Sequence, residues 1–203
     1  MASVAPSRPA ADARPVRPKR MNSITVFDYS PKWAEEFQQL SGVISGALKG
    51  LLARIEHVGS TAVPGLPAKP IIDIDIIVPA ISLSTVIERL TTIGYDHRGD
   101  LGIEGREAFF APETSTIAHN LYACPRNSLA LRNHLLLRDW LRSHPEDCRR
   151  YGELKRRLAK LYRNDIDSYV ARKTDFITGI LESAGIDTSE ITIIRQANKA
   201  EQT

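Results

Sequence analysis

Two aspartates, Asp73 and Asp75, stand two residues apart in a strongly apolar run, I-I-D-I-D-I-I-V from Ile71 to Val78. A run of branched apolar residues ended by Pro79 reads as a strand. Alternate side chains of a strand share a face, so both carboxylates point one way while Ile72, Ile74 and Ile76 enter the opposite layer. At about 3.3 Å rise per residue their Cα atoms lie roughly 6.6 Å apart, near enough to reach one divalent ion or a pair. Ile71 and Ile77 bracket the acids on their own face. Two like charges in an apolar notch repel, and without a cation one of them takes up a proton. Hard oxygen donors with no thiol beside them suit Mg²⁺ (or Mn²⁺), with phosphate oxygens completing the shell.

Just upstream, at the end of a short strand read from Ile55 to Val58, lies the pair Gly59-Ser60. Glycine lets a backbone turn closely around an anion, and a serine adds a hydroxyl donor. Lys69, in the loop that follows, is expected as an additional phosphate contact. Taken singly, each half has a plainer reading: D-x-D also marks the solvated face of an edge strand, and Gly-Ser turns are common. Their order, strand, Gly-Ser, loop, strand with two acids, joins both halves of a metal-phosphate site in one unit.

Other candidates carry alternatives. His57 either orients the Gly-Ser turn or bonds to backbone at a strand end. Arg106, in a glycine-rich loop, reaches a phosphate or is solvated. Arg132, His134, Arg138 and Asp139 share a helix on which 134 and 138 face one side, as a substrate-facing patch or an ion-pair stripe. Lys173 stands one residue off an apolar stripe, so its stem packs while its ammonium reaches a cleft; Lys155 is read as more exposed. Trp33 and Trp140 are assigned to packing.

These residues need elements to hold them. Ser30-Pro31 opens an amphipathic helix carrying Trp33, Phe37, Leu40, Ile44, Leu48 and Leu51. After the Asp strand comes a helix with Leu83, Val86, Ile87, Leu90 and Ile93 on one face, stopped by Gly94. Strands are expected over 108–111 and 116–124. Three helices follow, over 128–143, 145–162 and 165–184, the last ended by Gly185, and the tail beyond Ile194 reads as loose. The class is α/β (α+β), a small mixed sheet with flanking helices and a helical C-terminal half.

With 203 residues the chain has room for one domain plus tails, taken as a tail at 1–21, a domain at 22–186 and a tail at 187–203. Residues 1–20 contain four prolines and no aromatics, and read as disordered. An Arg-rich start also fits an organelle transit peptide, but prolines at 6, 9, 15 and 18 break the amphipathic helix that such a peptide needs. Two cysteines supply neither a disulfide framework nor a zinc cluster, so a reducing, cytoplasmic setting is expected, with a mitochondrial one as the alternative. No apolar run is long enough to span a bilayer. The net charge of +3 is concentrated at the start, where five basic residues face Asp12 alone, leaving −1 on the rest. A near-neutral body argues against nucleic acid as partner.

The string H-V-G-S-T-A-V-P-G-L-P-A-K-P-I-I-D-I-D-I-I-V at 57–78 resembles the GrpB family of the nucleotidyltransferase superfamily. So do G-I-E-G-R-E-A-F-F at 102–110, A-H-N-L-Y-A-C-P at 118–125, R-N-H-L-L-L-R-D-W-L-R-S-H-P at 132–145, Y-G-E-L-K at 151–155 and Y-V-A-R-K-T-D-F-I at 169–177. The resemblance covers roughly residues 22–182. It implies a nucleotidyltransferase-like fold that binds a nucleoside triphosphate, with transfer of a nucleotidyl group to a small hydroxyl acceptor. Gly59 and Ser60 would hold phosphates, joined by Lys69, Arg106 and Lys173, and Asp73 and Asp75 would hold the metal. The superfamily's third carboxylate is missing: the strand expected to bear it reads T-I-A-H-N-L-Y-A-C, with His119 and Asn120 at that place. Either His119 serves as base, since a neutral imidazole accepts a proton near pH 7, or the domain binds nucleotide without transfer. Related domains fused to dephospho-coenzyme A kinase fit the second, accessory role.

Overall fold

A computed structural model describes residues 23–200, with side chains through Ala197. The expected N-terminal tail lies outside these residues. The elements run α1 (Lys32–Ala47), β1 (Arg54–Val58), a 3-10 turn (Ser60–Ala62), β2 (Ile72–Val78), α2 (Leu83–Thr92), β3 (Asp96–His97), β4 (Glu107–Phe110) and β5 (His119–Pro125). The helices α3 (Leu129–Ser143), α4 (Pro145–Leu161), α5 (Ile166–Ser183) and α6 (Thr188–Ala200) complete the chain. The strands form one mixed sheet in the order β1-β2-β5-β4-β3, in which β2 and β5 are parallel and the other pairs antiparallel. This is the small mixed sheet, flanked by helices and followed by a helical half, that the sequence predicts.

The period-2 pattern of β2 divides the molecule. Ile72, Ile74, Ile76 and Val78 enter one core with Leu121, Ala123 and Phe109 of the neighbouring strands, covered by Trp33, Leu40 and Ile44 of α1 and Val86 and Leu90 of α2. On the opposite face Ile77 and Cys124 meet Leu131 of α3. Register places Asp73 beside Asn120 and Asp75 between Glu56 and Tyr122. The acidic pair therefore lies on a central strand, under α3, rather than on a solvated edge.

The loop after the 3-10 turn is apolar at its base. Val63 and Leu66 pack with Leu141, Tyr151, Ile177 and Leu181, joining the sheet to the C-terminal helices. The same cluster takes in Ile186, Ile191 and Ile194, so residues 188–200, read as tail, form a helix docked on α5. Helix starts follow local chemistry: the Ser128 side chain accepts from the Leu131 N–H at 3.3 Å, and Asp165 from that of Ser168 at 3.0 Å. No helix among the described residues is long and apolar enough to cross a membrane.

Candidate functional site

Gly59 fixes the turn. Its φ of 70° and ψ of −167° belong to a region that essentially only glycine occupies. A Cβ added there would stand 2.1 Å from Oδ2 of Asp73, so the backbone of the turn lies directly against that carboxylate. The Gly-Ser turn and the acidic strand, fourteen residues apart in sequence at Gly59 and Asp73, are in contact.

The two acids differ in surroundings. Asp73, partly buried, accepts a hydrogen bond from the Asn120 amide, Nδ2 to Oδ1 at 2.7 Å. Its pKa is raised by burial, against the opposing pull of Asn120, His134 and Lys173. Asp75 is fully buried; its Oδ2 meets Nδ1 of His134 at 2.8 Å, while its Oδ1 has no hydrogen-bond partner among the described residues. Burial lowers the His134 pKa and the two carboxylates raise it, the net direction being upward. A buried carboxylate oxygen without a partner is costly and suits a cation as its missing neighbour. Two same-face carboxylates with one such open oxygen fit a hard divalent ion. No group of three or more His, Cys, Asp or Glu side chains arranged to hold a metal occurs among the described residues, so phosphate oxygens or water would have to supply the remaining ligands.

Cations gather at the other side of the turn. Lys155 of α4, 3% exposed, donates from Nζ to Oγ of Ser60 at 2.9 Å and lies 4.7 Å from the centre of the Tyr151 ring. Burial first, and then the charge of Lys173, hold its pKa well below the usual lysine range. Lys69 and Lys173 both stand against Tyr169, their Nζ atoms 5.8 and 5.6 Å from the ring centre. Lys155 is thus buried at the site, not exposed as its register suggests.

The structure also corrects His119 and refines two further assignments. His119 pairs with Ile72 in the β2–β5 ladder and so faces the core, opposite Asp73 and Asp75. Its Nδ1 donates to the Ile117 carbonyl at 2.8 Å, its Nε2 accepts from the Tyr95 hydroxyl at 2.9 Å, and burial lowers its pKa. It is a neutral core histidine, and the expectation that it serves as base is withdrawn on geometry. Asn120, not His119, is the β5 residue that stands beside Asp73 on the acidic face. Arg106 is 4% exposed and stacks over Tyr122, its guanidinium carbon 4.4 Å from the ring centre, on the face that carries Asp75. His57 meets Thr61 Oγ1 at 3.0 Å, and Thr61 donates to the Ile71 carbonyl at 3.2 Å. It ties the turn to the foot of β2.

The sequence singles out His134 and Lys155 only beside plainer alternatives. The signal was present in the spacing of His134 and Arg138: both descend from α3 onto the acidic face, His134 onto Asp75 and Arg138 onto Glu56 at 2.6 Å. A cavity of about 660 Å³ lies elsewhere, between the loop at Pro64–Pro67 and α4, with Leu141, Cys148 and Gly152 in its wall. None of its lining residues is an acid of β2 or a lysine of the turn.

Sheet, acidic face and glycine-hinged turn define a small α/β domain with a polar site between a central strand and its C-terminal helices. The GrpB protein family matches residues 23–183, and the chain belongs to that family. The UPF0157 protein YqkA of Bacillus subtilis is 33% identical over 168 residues, 82% of this chain, which spans about half of that protein at 48%. The glutamate-rich protein GrpB of Alkalihalophilus pseudofirmus is 33% identical over 78% of this chain and 94% of its own length. A dephospho-CoA kinase of Mycolicibacterium paratuberculosis matches at 30% identity over 70% of this chain and 41% of its own. Among solved structures, the conserved protein GrpB from Enterococcus faecalis superposes with a TM-score of 0.70 at 34% identity, covering 79% of this chain and 96% of that one.

Proposed function

We propose that the domain binds a nucleoside triphosphate with Mg²⁺ (or Mn²⁺), the ion between Asp73 and Asp75 and the phosphates against Gly59, Ser60, Lys155 and Lys173. The observation that supports this reading is the contact of turn and strand: Gly59 lies against the Asp73 carboxylate while the next residue, Ser60, receives a lysine ammonium. Acidic and cationic groups thus alternate over one turn, as a metal-bound polyphosphate requires. A bound divalent ion would neutralise phosphate charge and orient it for in-line displacement. The protein's share is positional. Asn120 holds Asp73, His134 holds Asp75, Lys155 holds Ser60, and Lys173 offsets phosphate charge.

Transfer to a small hydroxyl acceptor is the active form of this proposal. It requires a group to take the acceptor's proton, and Asn120, whose amide already donates to Asp73, supplies none. That observation favours the second form, a nucleotide-binding module that regulates or joins a partner. The likeness to part of a dephospho-CoA kinase agrees with an accessory role.

Thermal unfolding with MgATP, MgGTP, MgCTP and MgUTP tests the common core. At one hundred times the dissociation constant a bound nucleotide adds about 2.7 kcal/mol. The native protein should melt higher with at least one nucleotide, and Asp73→Asn combined with Asp75→Asn should lose the shift while remaining folded. A native curve unmoved by all four rejects both forms. Where binding is found, pyrophosphate release with a panel of alcohols separates the enzyme from the module.

A further inference from the structure

The Ser60–Lys155 pair is more than a phosphate contact requires. A lysine that only neutralises phosphate works best charged and at the surface, whereas Lys155 is 3% exposed, laid along Tyr151 and joined to Ser60 Oγ at 2.9 Å. The groups acting on it electrostatically are Lys173, Cys148 and Asp73. Desolvation favours its neutral amine. A neutral amine carries a lone pair, so the same contact can run in reverse, with the Ser60 hydroxyl donating to Nζ. A hydroxyl within hydrogen-bond reach of a base is the arrangement of an activated nucleophile. The neighbouring cations, Lys69 and Lys173 on Tyr169, select a phosphoryl electrophile over a neutral ester. They also draw in the terminal phosphate, the most heavily charged end of a triphosphate.

We propose that Ser60 is itself the acceptor, taking the terminal phosphoryl group of a bound nucleoside triphosphate while Lys155 takes its proton. The proposal rests on the nucleotide-binding reading above. The bond from Ser60 Oγ to the terminal phosphorus forms. The bond from that phosphorus to the bridging oxygen breaks, and its electron pair leaves with the nucleoside diphosphate. The serine proton passes to Nζ, and the resulting ammonium stays beside the new phosphoserine. This step needs no third acid on β5, which accounts for an asparagine at position 120.

The test incubates the full chain with Mg²⁺ and ATP labelled at either the γ or the α phosphorus. Intact mass and peptide mapping follow the product, and nucleotide-induced melting shifts are measured on the same samples. The expected result is a gain of one phosphoryl group from the γ position, mapped to Ser60 and absent in Ser60→Ala. Lys155→Met, which keeps the buried stem but no lone pair, should still melt cooperatively and label at least about 100-fold more slowly. Lys155→Arg, permanently charged, should label as poorly. A melting shift without γ label overturns this proposal and leaves nucleotide binding standing. Label from the α position, label on another residue, or label indifferent to both Lys155 variants overturns it too. No shift with any nucleotide removes the reading beneath it.

Discussion

Gly59 shows how one missing side chain can organise a site. Gly59→Ala meets two penalties, a backbone conformation foreign to residues with a Cβ and a carboxylate oxygen 2.1 Å from the new methyl. We expect a loss of at least about 2 kcal/mol in urea unfolding, together with loss of any nucleotide-induced shift. His57 makes a second prediction. It stacks on Phe37 at 4.7 Å, and burial first, then Arg142 and Arg138, lower its pKa from 6.5 to about 4. Between those values the unfolded chain binds more protons than the folded one, so native stability falls as pH drops from 6.5 towards 4, by roughly 3 kcal/mol at most. His57→Gln keeps a donor for Thr61 and should flatten that part of a stability-against-pH curve; an unchanged slope would locate the proton uptake elsewhere. The same residues show what the sequence discloses. Asp73 and Asp75 were legible because a strand's period is two whatever surrounds it. His119 was misassigned because the β5 string leaves open which of two adjacent polar residues faces the acids, a choice made by pairing with β2. Lys155 was misjudged because its burial depends on how α4 docks on a loop some ninety residues earlier.

Elements were easier to read than the contacts between them. Proline and glycine punctuate α2, α4 and α5, and their observed limits fall within a residue or two of those expected. The two-residue β3 carries too little pattern to be read alone, and α6 lies in a stretch that reads as tail although its Ile191 and Ile194 recur at helical spacing. What fixes α3 across the sheet is an ion pair. Arg138, 8% exposed, reaches Glu56 at 2.6 Å, the His57 carbonyl at 3.0 Å and Asp139 at 2.7 Å. Glu56 and Asp139 keep 21% and 58% side-chain exposure, so Arg138→Leu should cost about 2 kcal/mol in chemical denaturation. The exposed bridges of Arg149 to Glu146 and Glu153 serve as the internal comparison, since Arg149→Leu should cost under about 1 kcal/mol.

Taken whole, the molecule divides its labour between halves. In the proposed site the sheet would supply carboxylates and the C-terminal helices Lys155 and Lys173, so neither half would carry it alone. The family match likewise runs through the helical half, over residues 23–183. The seam between halves is set at Gly152, where an added Cβ would come within 2.8 Å of Pro67 Cδ. The bare backbone of α4 therefore lies flush on the proline ring, and Lys155 emerges one helical turn further on. At this one contact beside the cavity, even the smallest methyl would act as a shim, tilting the lever whose tip is the amine on Ser60.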